Sequence, residues 1–92
     1  MADIRLIQLA RIFGVAKVED EGSARALIAA RSAAFADALF AEAADNDDVT
    51  SSRAALDYLD GRLAEFSGLI EPGISGQIRA AFATRLAAWG DP

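Results

Sequence analysis

The chain has 92 residues, a net charge of −5, and neither cysteine nor histidine. These properties predict one small domain and exclude disulfides, thiolate chemistry and nucleophiles activated by imidazole. Hydrophobic residues make up 53% of the chain, but 22 residues are alanine, so we expect a core of modest size.

The charge balance limits the classes of partner. General nucleic-acid binders and proteins bound to anionic membranes need clustered cations, whereas this chain is acidic in both halves. Charges at Asp3, Arg5 and Arg11 interrupt the first residues, which therefore lack the apolar run of a signal peptide. We expect no membrane contact and a cytoplasmic location.

Turn-forming residues divide the chain into four predicted helices, over about 3–13, 22–44, 49–70 and 75–89. The chain has only three valines and no alternating run of β-branched residues, so nothing in it favours strands. The predicted fold class is all-α, a compact bundle of four helices forming a single domain over 1–92.

The first predicted helix has one clear apolar face, which includes Leu6, Leu9 and Phe13. Ile4 and Ile12 instead project among polar residues. Two isoleucines on a polar face suggest a second contact surface.

The second predicted helix is apolar on two sides. One stripe, expected in the core, consists of Leu27, Ile28, Phe35 and Leu39. The second stripe consists of Ala29, Ala33, Ala36 and Phe40. A helix with two apolar faces is normally covered on both, so the helix is either central to the bundle or carries a subunit interface. The alternative is that alanine simply occupies a solvent face.

The third predicted helix shows the clearest periodicity. Its apolar residues Leu56, Leu59, Leu63, Phe66 and Ile70 alternate spacings of three and four, which is typical of a bundle helix. Asp47 or Asp48 is the predicted N-cap.

The fourth predicted helix begins with Ser75 as N-cap and stops at Gly90. Its stripe contains Trp89, which we expect to anchor against another helix or a partner. Arg85 falls within the same arc, so we expect its side chain to extend to solvent or to pair with a carboxylate.

The sequence offers little catalytic chemistry. Asp57, Asp60 and Glu65 lie off the apolar stripe of the third helix and have the pattern of a solvated face. The acidic run 45–48 fails the calcium-loop pattern, because Val49 and Thr50 stand where a ligand and a glycine belong. We therefore predict no enzyme activity, no metal and no cofactor.

One short segment is similar to a DNA-binding motif. Residues 8–15 resemble the first helix and turn of a helix-turn-helix, but the acidic residues Glu19, Asp20 and Glu21 follow where a recognition helix should begin. Such a start is unfavourable next to phosphates, so we do not expect nucleic acid as a partner.

Two segments together resemble the small helical head–tail adaptor (connector) proteins of tailed bacteriophages. They are the acidic turn and alanine-rich helix from Glu19 to Phe35, and the proline-led final helix from Pro72 to Trp89. The resemblance is one of residue types and covers about half of the chain. It implies a ring of many copies seated between neighbouring rings of a virion, without catalytic residues.

These observations predict a non-enzymatic protein that acts through helix faces, bound to itself as a homo-oligomer, to another protein, or to both. The alternatives are an acidic inhibitor or anti-defence protein that covers a basic surface, and a helix-turn-helix regulator that binds DNA. The residues predicted to form the interface are Ile4, Ile12, Ala29, Ala33, Ala36, Phe40 and Trp89.

Overall fold

A computed structural model describes residues 3–89, which form five α-helices. The helices are α1 (Ile4–Phe13), α2 (Glu21–Ala30), α3 (Ser32–Ala44), α4 (Ser52–Glu65) and α5 (Pro72–Trp89). Residues 3–89 contain no strand, so the all-α prediction is confirmed, whereas the predicted number of four helices is wrong.

The predicted second helix is two helices, α2 and α3, which meet at Arg31. This residue has φ −128° and ψ 41°, outside the helical region. Its amide still donates to the carbonyl of Leu27 at 3.0 Å, and its own carbonyl accepts from the amide of Phe35 at 2.9 Å. No glycine or proline marks the bend. The bend instead coincides with a change of packing, because α3 runs along α5 whereas the main contacts of α2 are with α1 and α3.

The first two helices begin at aspartates. The side chain of Asp3 accepts the backbone N–H of Arg5 at 2.9 Å, and that of Asp20 accepts the backbone N–H of Ser23 at 2.8 Å. Helix α1 ends at Gly14, whose φ of 67° lies in the left-handed region that glycine adopts without strain.

Helix α4 begins later than predicted. Its N-cap is Ser51, whose hydroxyl accepts the backbone N–H of Ala54 at 3.1 Å, so the predicted cap at Asp47 or Asp48 is wrong. Val49 falls within the predicted range 49–70 but precedes the observed helix, and its side chain is buried.

Helix α4 also ends earlier than its apolar repeat does. The helix stops at Glu65, and the amide of Phe66 bonds the carbonyl of Leu63 in a tighter three-residue turn. Gly68, with φ 88°, then reverses the chain. The predicted extension of this helix to Ile70 is therefore wrong, because the turn at Gly68 breaks the repeat.

Helix α5 begins at Pro72 and not at Ser75. Proline suits the first position of a helix, where an amide hydrogen would have no partner within the helix. The amide of Ser75 already donates to the carbonyl of Glu71 at 2.9 Å. The predicted stop at Gly90 lies outside the described residues.

The core is centred on α3, which packs most extensively on α5 and also against α4. Phe35 is fully buried, stacks on Phe13 with 5.7 Å between ring centroids, and meets the edge of Phe66 at 5.6 Å. This contact joins α1, α3 and the turn that follows α4.

A second aromatic group closes the other end of α3. Phe40 packs edge-to-face on Phe82 at 5.5 Å and on Trp89 at 5.8 Å. The Arg85 guanidinium lies 5.5 Å from the centre of the Phe40 ring, and its Nε is 3.5 Å from Asp37. The predicted pairing of Arg85 with a carboxylate is confirmed.

We expect Phe35→Ala to lower the free energy of unfolding by about 3–5 kcal/mol, because the site loses packing on two rings and leaves a cavity. Urea denaturation measures the change. The matched control is Ile4→Ala, which truncates a side chain that is 66% exposed and should cost far less. Equal losses in the two variants would contradict the central place of Phe35.

Candidate interaction surface

The outer side of α1 carries exposed apolar side chains. Ile4 is 66% exposed and Ile7 is 48% exposed, and they are the large hydrophobic residues that the described chain leaves open to solvent. Arg11 is exposed one turn further along the same side, since residues spaced by three and four share a helix face. We call Ile4, Ile7 and Arg11 the α1 face.

A groove of about 790 Å³ lies beside this face. One wall is α1, and the other is the segment 15–21 that leads into α2. The apolar side chains that line it are Leu6, Ile7, Ala10, Val15, Ala16 and Val18. We call this feature the α1 groove; because it shares Ile7 and Arg11 with the α1 face, the two form one continuous surface.

The two walls of the α1 groove run in opposite directions. After Gly14 the chain turns back, and the amide of Val15 bonds the carbonyl of Ala10 at 3.0 Å. At the far end, Arg5 Nη2 lies 3.2 Å from a carboxylate oxygen of Glu21. The second wall therefore returns along α1 and ends beside the start of that helix.

This arrangement separates the charges of the groove. The carboxylates of Asp3, Asp20 and Glu21 lie at the end where α1 begins, whereas Arg11 and Lys17 lie toward the end where it turns. Glu19, between these ends, is 3.9 Å from the Lys17 ammonium. The groove thus has an apolar lining, an acidic end and a basic end.

Hydrogen bonds keep the acidic end charged. The Arg5 side chain, followed by the Arg5 backbone N–H, holds the pKa of Asp3 below its ordinary value. The backbone N–H of Ser23 is the main cause of a lowered pKa at Asp20. Both carboxylates therefore stay ionised to a lower pH than an ordinary aspartate, and ionised carboxylates suit the positive ends of the helices that they cap.

Two arginines attach this end of the groove to the rest of the fold. Arg5 bonds Asp3 at 2.8 Å and also donates from Nη1 to the carbonyl of Ser67 at 2.9 Å. Arg25 donates to the carbonyl of Gly68 at 3.2 Å. The groove is therefore connected to the turn between α4 and α5.

A smaller cleft of about 360 Å³ lies on another side of α1. Its lining residues are Gln8, Arg11, Ile12, Ala38, Glu42 and Arg62. Glu42 accepts the Tyr58 hydroxyl at 3.2 Å and Arg62 Nε at 3.1 Å. Burial, together with the charge of Glu42, raises the pKa of Tyr58. The hydroxyl is therefore a neutral donor in a paired cluster, which suits a structural role.

The structure places the seven predicted interface residues in different environments. Ile4 belongs to the α1 face, and Ile12 is half-buried beside the smaller cleft. Ala29 and Ala33 are exposed, and Trp89 is half-buried against Phe40. Ala36 is fully buried and Phe40 is 8% exposed, and both belong to the core of this chain. The seven residues therefore do not share one surface.

The carboxylates considered for catalysis lie on the exposed side of α4. Asp57, Asp60 and Glu65 are all exposed, Asp60 pairs with Arg79, and Glu65 pairs with Arg62.

The predicted interface residues do not include Ile7, although the structure exposes it beside Ile4. Its spacing of three from Ile4 is the signal that links the two residues.

Within residues 3–89, no group of three or more potential ligand side chains is placed to hold a metal ion. The helices of the same range include none whose length and hydropathy would let it span a bilayer. No family model, curated protein or solved structure matches this chain.

Two alanines test which side of α3 belongs to the core. We expect Ala36→Glu to unfold the chain or cost several kcal/mol, because it buries a carboxylate without a partner. Ala33→Glu, at an exposed position of the same helix, should change the free energy of unfolding by no more than about 0.5 kcal/mol. Circular dichroism with urea denaturation measures both. Equal effects would contradict the placement of Ala36.

The capping aspartates should make the free energy of unfolding depend on pH in the acidic range. Because the pKa values of Asp3 and Asp20 are lower in the folded chain than in the unfolded one, the stability that they contribute is complete above about pH 4 and is lost as the pH falls through the lowered values. We expect the double variant Asp3→Asn, Asp20→Asn, which keeps capping oxygens, to lose stability less steeply between about pH 4 and pH 2.

Urea midpoints at several pH values in this range measure that slope. The control is Asp57→Asn, which removes an exposed aspartate that caps no helix and should keep the slope of the unmodified chain. A double variant with an unchanged acid slope would disprove the contribution of the two caps.

Proposed function

We propose that the chain is a non-enzymatic protein that binds another polypeptide through the α1 face and the α1 groove. The observation that carries the proposal is the exposure of Ile4 and Ile7 beside a groove with an apolar lining. Single exposed hydrophobic residues are common, but adjoining ones that continue into a groove are typical of interaction sites.

The shape of the surface suits a helix or an extended segment. Helix-in-groove recognition uses apolar side chains spaced by three, four and seven residues, held against an apolar lining. Removing an isoleucine from water is worth about 1.5–3 kcal/mol when it is fully exposed beforehand. Because Ile4 and Ile7 are partly exposed, burying them against a partner would gain part of that free energy each. The charged ends of the groove would fix the direction in which the partner segment binds.

The polar groups near α1 support binding over catalysis. Glu42 is occupied by Tyr58 and Arg62, while Asp3 is occupied by Arg5. A catalytic acid or base must be able to reach its substrate within hydrogen-bond distance, and its pKa must lie near the working pH. The lowered pKa of Asp3 and the raised pKa of Tyr58 both move away from neutrality.

An alternative form of the proposal is a phage head–tail adaptor, in which copies would meet head-to-tail in a ring and not in twofold pairs. A ring of copies needs two different complementary surfaces on each copy. Ala29 and Ala33 are exposed on α2 and α3 and would allow close approach to the α1 face of a neighbouring copy. An acidic inhibitor remains the alternative, supported by the carboxylate end of the groove.

Site-specific photocrosslinking tests the proposal. A photoreactive amino acid replaces Ile7 in one variant and Arg53 in a control variant. Arg53 is an exposed residue of α4 that lines neither the α1 groove nor the smaller cleft. Both are expressed in cells, irradiated and analysed by mass spectrometry. We expect a discrete protein adduct from position 7 and none from position 53. No adduct at position 7, or the same adducts at both positions, would overturn the proposal.

A further inference from the structure

We infer that the partner on this surface is a second copy of the chain, bound in an antiparallel arrangement about a twofold axis. The inference rests on the proposed function and names its partner. It comes from the order of charges along the α1 groove and along α1 itself.

The charges of the groove select a partner with two ends of opposite sign. A uniformly basic segment would suit Asp3 and Glu21 but would be repelled at the other end by Arg11 and Lys17. A uniformly acidic segment would suit Arg11 and Lys17 but would be repelled by the carboxylates at the other end. Placing like charges together in an interface is costly, so both are disfavoured. The groove suits a helix that is basic at one end, apolar in the middle and acidic at the other.

Helix α1 and the residues at its two ends come close to this pattern. Its start carries the carboxylates of Asp3 and Glu21 with Arg5 between them, its first turns expose Ile4 and Ile7, and Arg11 follows near its end. Reversed in direction, α1 of a second copy would bring its Arg11 to the acidic end of the groove and its Asp3 to the basic end. Antiparallel helices also place opposite ends of their dipoles together.

A twofold axis makes every such contact occur twice. In an isologous interface, if one residue meets another across the axis, the reverse contact follows by symmetry. With the axis near Ile7, the Ile7 side chains of the two copies pack together. Ile4 of each copy then lies beside the aliphatic stem of the other copy's Arg11, whose guanidinium reaches toward Glu21.

Arg11 is suited to this contact because its charge is uncommitted within the fold. It is exposed, lies on the α1 face, and forms no ion pair with residues 3–89. Glu21 contacts Arg5 and Arg25, but its side chain is 57% exposed and can accept a further donor.

The size of the surface sets the expected strength. The groove spans α1 from Asp3 to Arg11, about 12 Å at 1.5 Å per residue, and α1 has only 10 residues. One short helix pair falls at the small end of protein interfaces, where complexes are weak. We therefore expect monomer and dimer to exchange with protein concentration.

Charge reversal tests the arrangement. We use size-exclusion chromatography with light scattering across a wide concentration range, on the full chain and on Arg11→Glu and Glu21→Arg. Each variant alone places like charges at both ends of the interface, so each should be monomeric. In an equimolar mixture, both ends carry opposite charges again, and a heterodimer should form. Arg53→Glu, which makes the same charge change on α4, should dimerise like the original chain.

The expected mass for the unmodified chain rises toward twice 9.7 kDa with concentration. Ile7→Glu, which places carboxylates at the axis, should stay monomeric while keeping its helical circular dichroism. This variant and Arg11→Glu change exposed residues, so they keep the test decisive if Glu21→Arg fails to fold.

Three results would overturn the inference. They are a monomer at every concentration, a larger ring, and a dimer that survives both Arg11→Glu and Ile7→Glu. If the chain is monomeric but position 7 crosslinks to a different protein, the interaction function stands and only self-pairing fails. If position 7 gives no adduct and the chain is monomeric, both fail.

Discussion

The packing of Phe35 between two other rings is the interaction on which the rest of this fold depends. Phe13 comes from the end of α1 and Phe66 from the turn after α4, so one side chain of α3 holds three parts of the chain together. Since nearly a quarter of the residues are alanine, few large side chains are available for such contacts. The buried phenylalanines therefore supply much of the apolar area that stabilises the chain.

The sequence predicts correctly which residues are buried where apolar residues recur at a regular helical spacing. It does not predict the helix boundaries where the chain bends to pack against distant segments. The apolar stripe residues Leu39 and Leu59 are both buried, as their spacing predicted. The bend at Arg31 has no glycine or proline to signal it, and it accompanies the extensive packing of α3, but not of α2, on α5. The turn at Gly68 did carry a signal, but a continuing apolar repeat obscured it. Leu69, just after that turn, is fully buried although no helix contains it.

The candidate surface could be predicted only in part. The exposure of Ile4 follows from its polar neighbours, but the α1 groove exists because Gly14 turns the chain back along α1. A periodic pattern describes one helix at a time and cannot show what a returning loop places beside it. The same limit explains Ala36: alanine occurs both on solvent faces and in tight cores, and only the tertiary packing of α3 buries this one.

The hydrogen bonds from Arg5 and Arg25 to the turn between α4 and α5 affect how the chain reaches its fold during synthesis. Their acceptors lie 62 and 43 residues further along the chain. Helix α1 is synthesised before α2 to α5, yet its bond from Arg5 cannot form until Ser67 has left the ribosome. Until then its isoleucines are exposed without the fold around them, and contacts of such long range are slow to form. This apolar surface is therefore exposed to other proteins on the nascent chain before folding is complete.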